Sequence, residues 1–431
     1  MQVDHTTLED LSILRADSMG AVSEKLNLAR TSVGKDMLEK NLRTALPSVP
    51  AIIGMQQTIE AVARVTASWP ERITNGTIMV VEKFFETAID PIPTKPSVWN
   101  SFFYKLLHGP DHSLAIYSAG HCLDLINGII EIKKLLEAKA NPGPLEQCLK
   151  EIDIILDKKK MQPLQQKSSD ISKEEQLALA SVIRHHCKHE MAALLNLYAR
   201  LDSWYGMAMA MKTFGLSFPQ FMDGEGPFFK ATGLFHPLLE KPICADIELS
   251  PEKNFMFLTG ANMSGKSTFI KSIGIAAFLA HTGMGVPAQK LSLTYFDGLI
   301  SNINITDDIT RGESYFFNEV KRIKSTVNRV TSGGHWLVLM DELFKGTNTQ
   351  DAMKCSHAIV EGLSRSKTSI FILSTHLFEI AEELKNHPNI QFYCFETDIA
   401  SDKFVFHYRL KSGVSSDRIG YRICLLYTSD A

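Results

Sequence analysis

Thr259-Gly260-Ala261-Asn262-Met263-Ser264-Gly265-Lys266-Ser267-Thr268 is the stretch that decides how this chain is read. It fits G-x-x-x-x-G-K-[ST], a loop that wraps phosphates. Before it, Phe255-Met256-Phe257-Leu258 reads as a short buried strand. After it, Phe269, Ile270, Ile273, Ala276, Ala277 and Ala280 recur at helical spacing. The competing reading is a chance glycine turn before a helix, and the correct flank on each side weighs against it. Gly260 and Gly265 let the backbone approach a phosphate with no Cβ in the way. The loop N–H groups and the helix N-terminus offer partial positive charge. Gly260, Ala261, Asn262, Met263, Ser264, Gly265, Lys266, Ser267 and Thr268 are therefore expected to bind ATP. Lys266 would reach the β- and γ-phosphates, and the Ser267 hydroxyl would ligate Mg²⁺.

Two further stretches complete this chemistry. Trp336-Leu337-Val338-Leu339-Met340 is an apolar run that ends in Asp341-Glu342. A buried strand would deliver Asp341 beside Mg²⁺ and Glu342 beside the attacking water, as general base or water-orienting group. Ser369-Ile370-Phe371-Ile372-Leu373 is a second such run and ends at Ser374-Thr375-His376. A histidine at the carboxyl end of a parallel strand faces the ligand crevice, so His376 is a candidate to contact the γ-phosphate or the water. Thr310-Arg311-Gly312-Glu313-Ser314 leads into a helix through Phe317, Val320 and Ile323, which makes an anion site at Ser314 that the phosphate loop does not need.

The first half reads differently. Helical periodicity runs through Leu8 to Leu42, resumes over 51–67, and recurs over 112–139 and 145–156. A long helical stretch is expected from about Ser172 to Phe214, closed by Gly215 and Pro219, and one helix of that length could act as a lever. No strand alternation persists before about residue 228. Two features inside this half invite chemistry. His185 and His189 stand four apart, a spacing that can bind zinc, but no further ligand stands near them and a polar stripe explains them. Lys158-Lys159-Lys160 could touch a phosphate backbone, although a lysine run in a polar link is usually just solvated.

Composition adds bounds. The 431 residues suffice for two or three domains, and 45% apolar with 22% charged residues is ordinary. A net charge of −3 imposes no nucleic-acid partner, and leaves a local basic surface open. Seven cysteines without paired spacing suggest a reducing compartment. Met1-Gln2-Val3-Asp4-His5 lacks the apolar core of a signal peptide, and no run of about eighteen apolar residues stands out, so no membrane span is expected. A cytoplasmic setting follows.

The ordered set of Gly260 to Thr268, Val286-Pro287-Ala288, Asp307-Asp308, Ser314 to Glu319, Asp341-Glu342 with Gly346-Thr347, and Ser374-Thr375-His376 resembles the ATPase domain of the MutS family of DNA mismatch repair proteins, an ABC-type ATPase. The Asn262-Met263 pair and the Gly-Thr after Asp-Glu are particularly MutS-like. The resemblance implies a helical core, lever and clamp over 1–227, in which the Thr31-to-Gly34 pattern leads into a helix. It implies an α/β ATPase domain over 228–423. It also implies a homodimer or a pair of homologous subunits in which Ser314 reaches the partner's γ-phosphate, with His236 of Phe235-His236-Pro237 near the adenine. DNA, and downstream repair proteins, are the implied partners. The expected function is an ATP-driven, dimeric DNA clamp in mismatch repair or a related repair process. The alternative is a MutS-like ATPase acting on branched DNA or ribosomes. Three departures accompany the resemblance. The family's mismatch-reading Phe-x-Glu is not found. Ser264 and Phe344-Lys345 stand where the mismatch-repair proteins usually have other residues. The pattern stops near Ile423, so 424–431 is expected to be an unrelated tail.

Overall fold

The computed structural model describes residues 1–14, 20–93, 98–139, 141–165, 167, 171–304, 315–400 and 403–415. The chain divides into two units. One comprises residues 1–25, 43–52 and 214–431, and the other residues 26–42 and 53–213. A helical region is thus followed by a mixed α/β domain, as the sequence pattern indicated.

Among the described residues the α/β unit holds eleven strands: β1 Gln2–Val3, β2 Gln220–Phe221, β3 Phe229–Leu234, β4 Ala245–Leu249, β5 Phe255–Thr259, β6 Lys290–Leu293, β7 Gly298–Asn302, β8 Trp336–Asp341, β9 Ile370–Ser374, β10 Ile390–Ala400 and β11 Lys403–Ser412. The large sheet runs β1-β7-β8-β9-β5-β10-β11, and all its pairs are parallel except the β10–β11 hairpin. A smaller sheet runs β2-β6-β3-β4. Every residue of β5, β7, β8 and β9 is buried. That is why these stretches read as unbroken apolar runs rather than as alternation: helices cover both faces of a parallel sheet. The helix Lys266–His281 packs closely enough that a Cβ on Gly274 would meet Leu339 at 2.6 Å and Leu11 at 2.7 Å.

The N-terminal segment departs from the expected boundary at residue 227. Residues 1–25 belong to the α/β unit, where β1 extends the large sheet beside β7. The reason is a set of buried hydrogen bonds spanning almost 300 residues. Asp10 accepts from the Ser301 hydroxyl (2.7 Å) and from the Ile303 and Asn304 amides (both 3.0 Å). Thr7 Oγ1 accepts from the Ser301 amide, and Arg322 donates two bonds to Asp4. None of these groups could be buried without its distant partner.

The second unit is helical throughout its described residues. Its central turn explains the Thr31-to-Gly34 pattern. Asp202, fully buried, accepts from the Thr31 amide (2.9 Å), the Thr31 hydroxyl (2.6 Å) and the Arg30 amide (3.1 Å) at the start of the helix Ser32–Arg43. Gly34 is required because a Cβ there would lie 2.0 Å from Asp202 Oδ2.

The long helix expected from Ser172 to Phe214 is two helices, Lys173–His186 and Lys188–Phe214. The break has an identifiable cause: the Lys160 ammonium donates to the His186 carbonyl at 2.6 Å and takes it out of the helical ladder. His185 and His189 therefore sit on different helices, both exposed, and lose the one-helix register a zinc pair needs. Lys160 also stands 2.7 Å from buried Glu190, and Lys158 donates to the same carboxylate at 2.9 Å. These two lysines anchor a turn. One helix, Gly109–Glu137, is long and apolar enough to cross a membrane, which the sequence reading did not anticipate. Half of its most apolar window is buried, and it packs against the helices Asn75–Glu86 and Lys173–His186.

Candidate nucleotide-binding site

Three parallel strands end at one place. β5 carries the phosphate loop, β8 ends at Asp341 and β9 ends at Ser374. Because β9 lies between the other two, Ser374 is paired with Asp341 on one side and Leu258 on the other. The Ser374 hydroxyl donates to Asp341 Oδ1, and the Ser267 hydroxyl donates to Asp341 Oδ2 at 2.5 Å. The two expected Mg²⁺ ligands are thus brought into contact from positions 74 residues apart. A serine hydroxyl beside a carboxylate is a hard-oxygen donor set, which suits Mg²⁺.

The loop has the backbone its glycines announced. Gly260 and Gly265 have φ of 144° and 99°, and Met263 also lies in the left-handed region at 68°. Lys266 is buried and donates to the Gly260 and Ala261 carbonyls at 2.8 and 2.9 Å. Burial lowers its pKa, and the carboxylates of Glu342 and Asp341 oppose that shift. Ser264 is buried, and its hydroxyl has no hydrogen-bond partner among the described residues.

Glu342 follows β8 at φ 52°, with its amide donating to the Ser374 carbonyl at 2.8 Å. Its carboxylate stands 3.3 Å from Lys345 Nζ and 3.9 Å from His376 Nδ1. Glu342 and His376 are therefore neighbours, as their strand-end positions required. The His376 contact is an ion-pair distance, too long for a hydrogen bond.

A cavity of about 730 Å³ opens over the loop. Its lining combines polar groups, Asn262, Lys266, Ser267, Thr268 and Glu342, with the apolar side chains of Leu239, Ile243, Phe395 and Tyr408, and includes His236. His236 Nδ1 accepts from the Leu238 amide at 3.3 Å, which places the ring proton on Nε2. Burial, reinforced by Lys271 and Lys25, lowers its pKa to about 4, so His236 is neutral at pH 7. A cavity that mixes convergent polar groups with apolar walls is the kind of site a nucleotide needs.

The sequence reading did not find Ile243, Phe395 or Tyr408. Phe395 and Tyr408 come from the β10–β11 hairpin, whose strands carry no nucleotide motif. One trace existed in Gly265: a Cβ there would lie 3.1 Å from the Tyr408 ring, so this glycine serves the loop backbone and the hairpin together. The hairpin is tied back at its far end, where the Ser415 amide donates to Thr259 Oγ1 at 2.8 Å. Ser314 and Asp307-Asp308 lie outside the described residues, as do Ser416, 420–423 and the expected tail at 424–431.

The family described as MutS domain V matches residues 256–428. This part of the chain is a MutS-family ATPase domain. A DNA mismatch repair protein MutS from Petrotoga mobilis is 31% identical over 237 residues, which is 54% of this chain and 29% of that protein. A DNA mismatch repair protein MutS from Fervidobacterium nodosum is 28% identical over 241 residues, 55% of this chain and 29% of the relative. The match thus spans under a third of the length of either relative. An ATPase domain of this description implies, generically, the use of ATP with Mg²⁺.

Proposed function

We propose that this chain is an ATP-driven DNA-binding protein of MutS type, working as a homodimer or with a homologous subunit in mismatch repair or a related repair process. The observation that carries the catalytic part is the contact of Ser267, Asp341 and Ser374, with Glu342 and His376 beside them. In this reading Lys266 and the amides of 260–268 hold the phosphates. Ser267 and Asp341 would hold Mg²⁺, which would supply charge neutralisation to the phosphates. Glu342 orients the attacking water and takes its proton, and His376 stands at the γ-phosphate. His236, neutral, would stand near the base. Ser314, which precedes the helix Tyr315–Thr331 in the sequence, would contact the partner's γ-phosphate. The DNA part is supported by the relatives' names. A cytoplasmic setting and downstream repair proteins belong to the same reading.

The test is steady-state ATP hydrolysis with and without duplex DNA, by the wild type and by Glu342→Gln. Glu342→Gln is expected to lower kcat by about 10²- to 10⁴-fold while nucleotide affinity is kept. DNA is expected to change wild-type turnover in a salt-sensitive way. Turnover indifferent to DNA, with no binding to perfect, mismatched or branched duplexes, would remove DNA as the partner and leave the ATPase.

A further inference from the structure

The loop after β8 is held in an unusual backbone. Glu342 and Phe344, neither a glycine, have φ of 52° and 63°. Such conformations cost free energy and persist only where the surroundings determine them. The surroundings here are the helix Tyr315–Thr331. Glu319, 1% exposed, accepts the Phe344 amide on Oε1 at 2.5 Å. The Lys345 and Gly346 amides are directed at the same carboxylate. One turn closer to the helix start, the Phe316 ring packs against Phe344 with centroids 6.1 Å apart. One helix therefore grips the loop by a buried carboxylate and a ring.

We propose that Glu319 is a positioning residue that fixes Glu342 by holding the amides of the loop behind it. The inference rests on the role given above to Glu342. Its content is that the helix that follows Ser314 in the sequence sets where the Glu342 carboxylate stands. Without the acceptor, buried N–H groups lose their partner, the two left-handed residues relax, and Glu342 leaves its place beside Lys345 and His376. A displacement of about 1 Å can cost about 100-fold in rate without touching affinity. The second Glu319 oxygen is buried with no hydrogen-bond partner among the described residues, and the contact from the Phe344 amide falls on Oε1.

The experiment compares Glu319→Ala and Glu319→Gln in the full chain, with Glu342→Gln as reference. It measures kcat, KM, affinity for a fluorescent ATP analogue, and Tm. Glu319→Ala is expected to lower kcat about 10- to 100-fold with affinity within about threefold of wild type. Glu319→Gln keeps an accepting oxygen, so its kcat should stay within about threefold, although Tm falls because its NH₂ group is buried unpaired. If Ala prevents folding, Glu319→Asp, which withdraws the oxygens by one methylene, is read the same way. Wild-type kcat in Glu319→Ala while Glu342→Gln is inactive would overturn the inference. Equal loss of affinity and rate in both Glu319 variants would overturn it too, by making Glu319 a fold residue. Normal turnover in Glu342→Gln would instead overturn the role of Glu342.

Discussion

Two turns in this molecule each bring a glycine and hydroxyl side chains to the start of a helix, and they are held in opposite ways. At Thr31–Gly34 the helix start is filled by the chain itself: Asp202, about 170 residues further on, accepts two amides and a hydroxyl. At Gly260–Thr268 the holding contacts are local. Lys266 reaches carbonyls five and six residues back, and the loop lines a cavity of about 730 Å³. The electrostatics of the two helix starts is the same, since both favour an anion. A helix start that receives the chain's own carboxylate is architecture, and one that faces a cavity is a binding site.

The largest effect that sharpens this comparison comes from Asp202. Asp202→Ala leaves buried amides and a hydroxyl without an acceptor, and should cost about 2–4 kcal/mol in denaturant unfolding. Gly34→Ala should cost a comparable amount by clashing with the same carboxylate. The double variant should cost less than the sum, because Asp202→Ala removes the two nearest atoms of the clash, Oδ2 and Cγ, and leaves only the Cβ at 2.8 Å. ATP-analogue affinity should be kept in all three. Affinity that falls in step with stability would break the distinction between an architectural and a binding turn.

A middle-sized effect is expected on acidification. His236 and His281 are buried and have pKa values lowered to about 4. His281 Nε2 accepts the Phe296 amide at 3.0 Å, which requires the neutral ring. An unfolded histidine binds its proton near pH 6.5, while these two resist until about pH 4. Between those values the unfolded state holds more protons, so stability falls as pH drops. Each histidine contributes up to about 1.4 kcal/mol per pH unit in that window. Thermal unfolding measured from pH 7 to pH 4 checks this, and His236→Gln should reduce the slope. An unchanged slope would contradict the burial argument.

The smallest effect concerns the N-terminal segment. Arg322 donates to both oxygens of Asp4, at 2.6 and 3.0 Å. This pair holds the Asp4 carboxyl well below the usual range, against the upward push of burial. A lowered carboxyl pKa gives stability that is present above the unfolded value and lost only as pH falls through the folded one. Asp4→Asn should therefore lower stability by about 1 kcal/mol at pH 7, and the difference should shrink in strong acid. A deficit that stays constant down to strong acid would mean that the ion pair is not its source.

The strand-end half of the candidate site was legible because each of its parts is contiguous. The phosphate loop, Asp341-Glu342 and Ser374-Thr375-His376 each sit at the end of a buried strand, and a parallel sheet collects such ends at one edge. The apolar lining of the cavity was not legible. Ile243, Phe395 and Tyr408 are ordinary apolar residues until the hairpin folds over Gly265. Helical periodicity located Gly109–Glu137 and Pro144–Leu156, but it did not mark Thr349–Ser364 and it carried Lys173–His186 into Lys188–Phe214 without a break. The residue responsible, Lys160, lies 26 positions from the carbonyl it captures.

By itself, the sequence determined the order of a helical region and an ATPase domain, the phosphate loop, and the two carboxylates expected to serve the ion and the water. These depend on backbone conformation and apolar periodicity over a few neighbouring residues, which local chemistry dictates. Only the tertiary structure decided that residues 1–25 complete the α/β unit, that Asp202 fills the Thr31–Gly34 turn, and that Glu319 stands behind Glu342. Each of these is a buried polar group whose partner lies far along the chain. Such a pairing is stable only once the whole core has excluded water, and no short-range pattern records it.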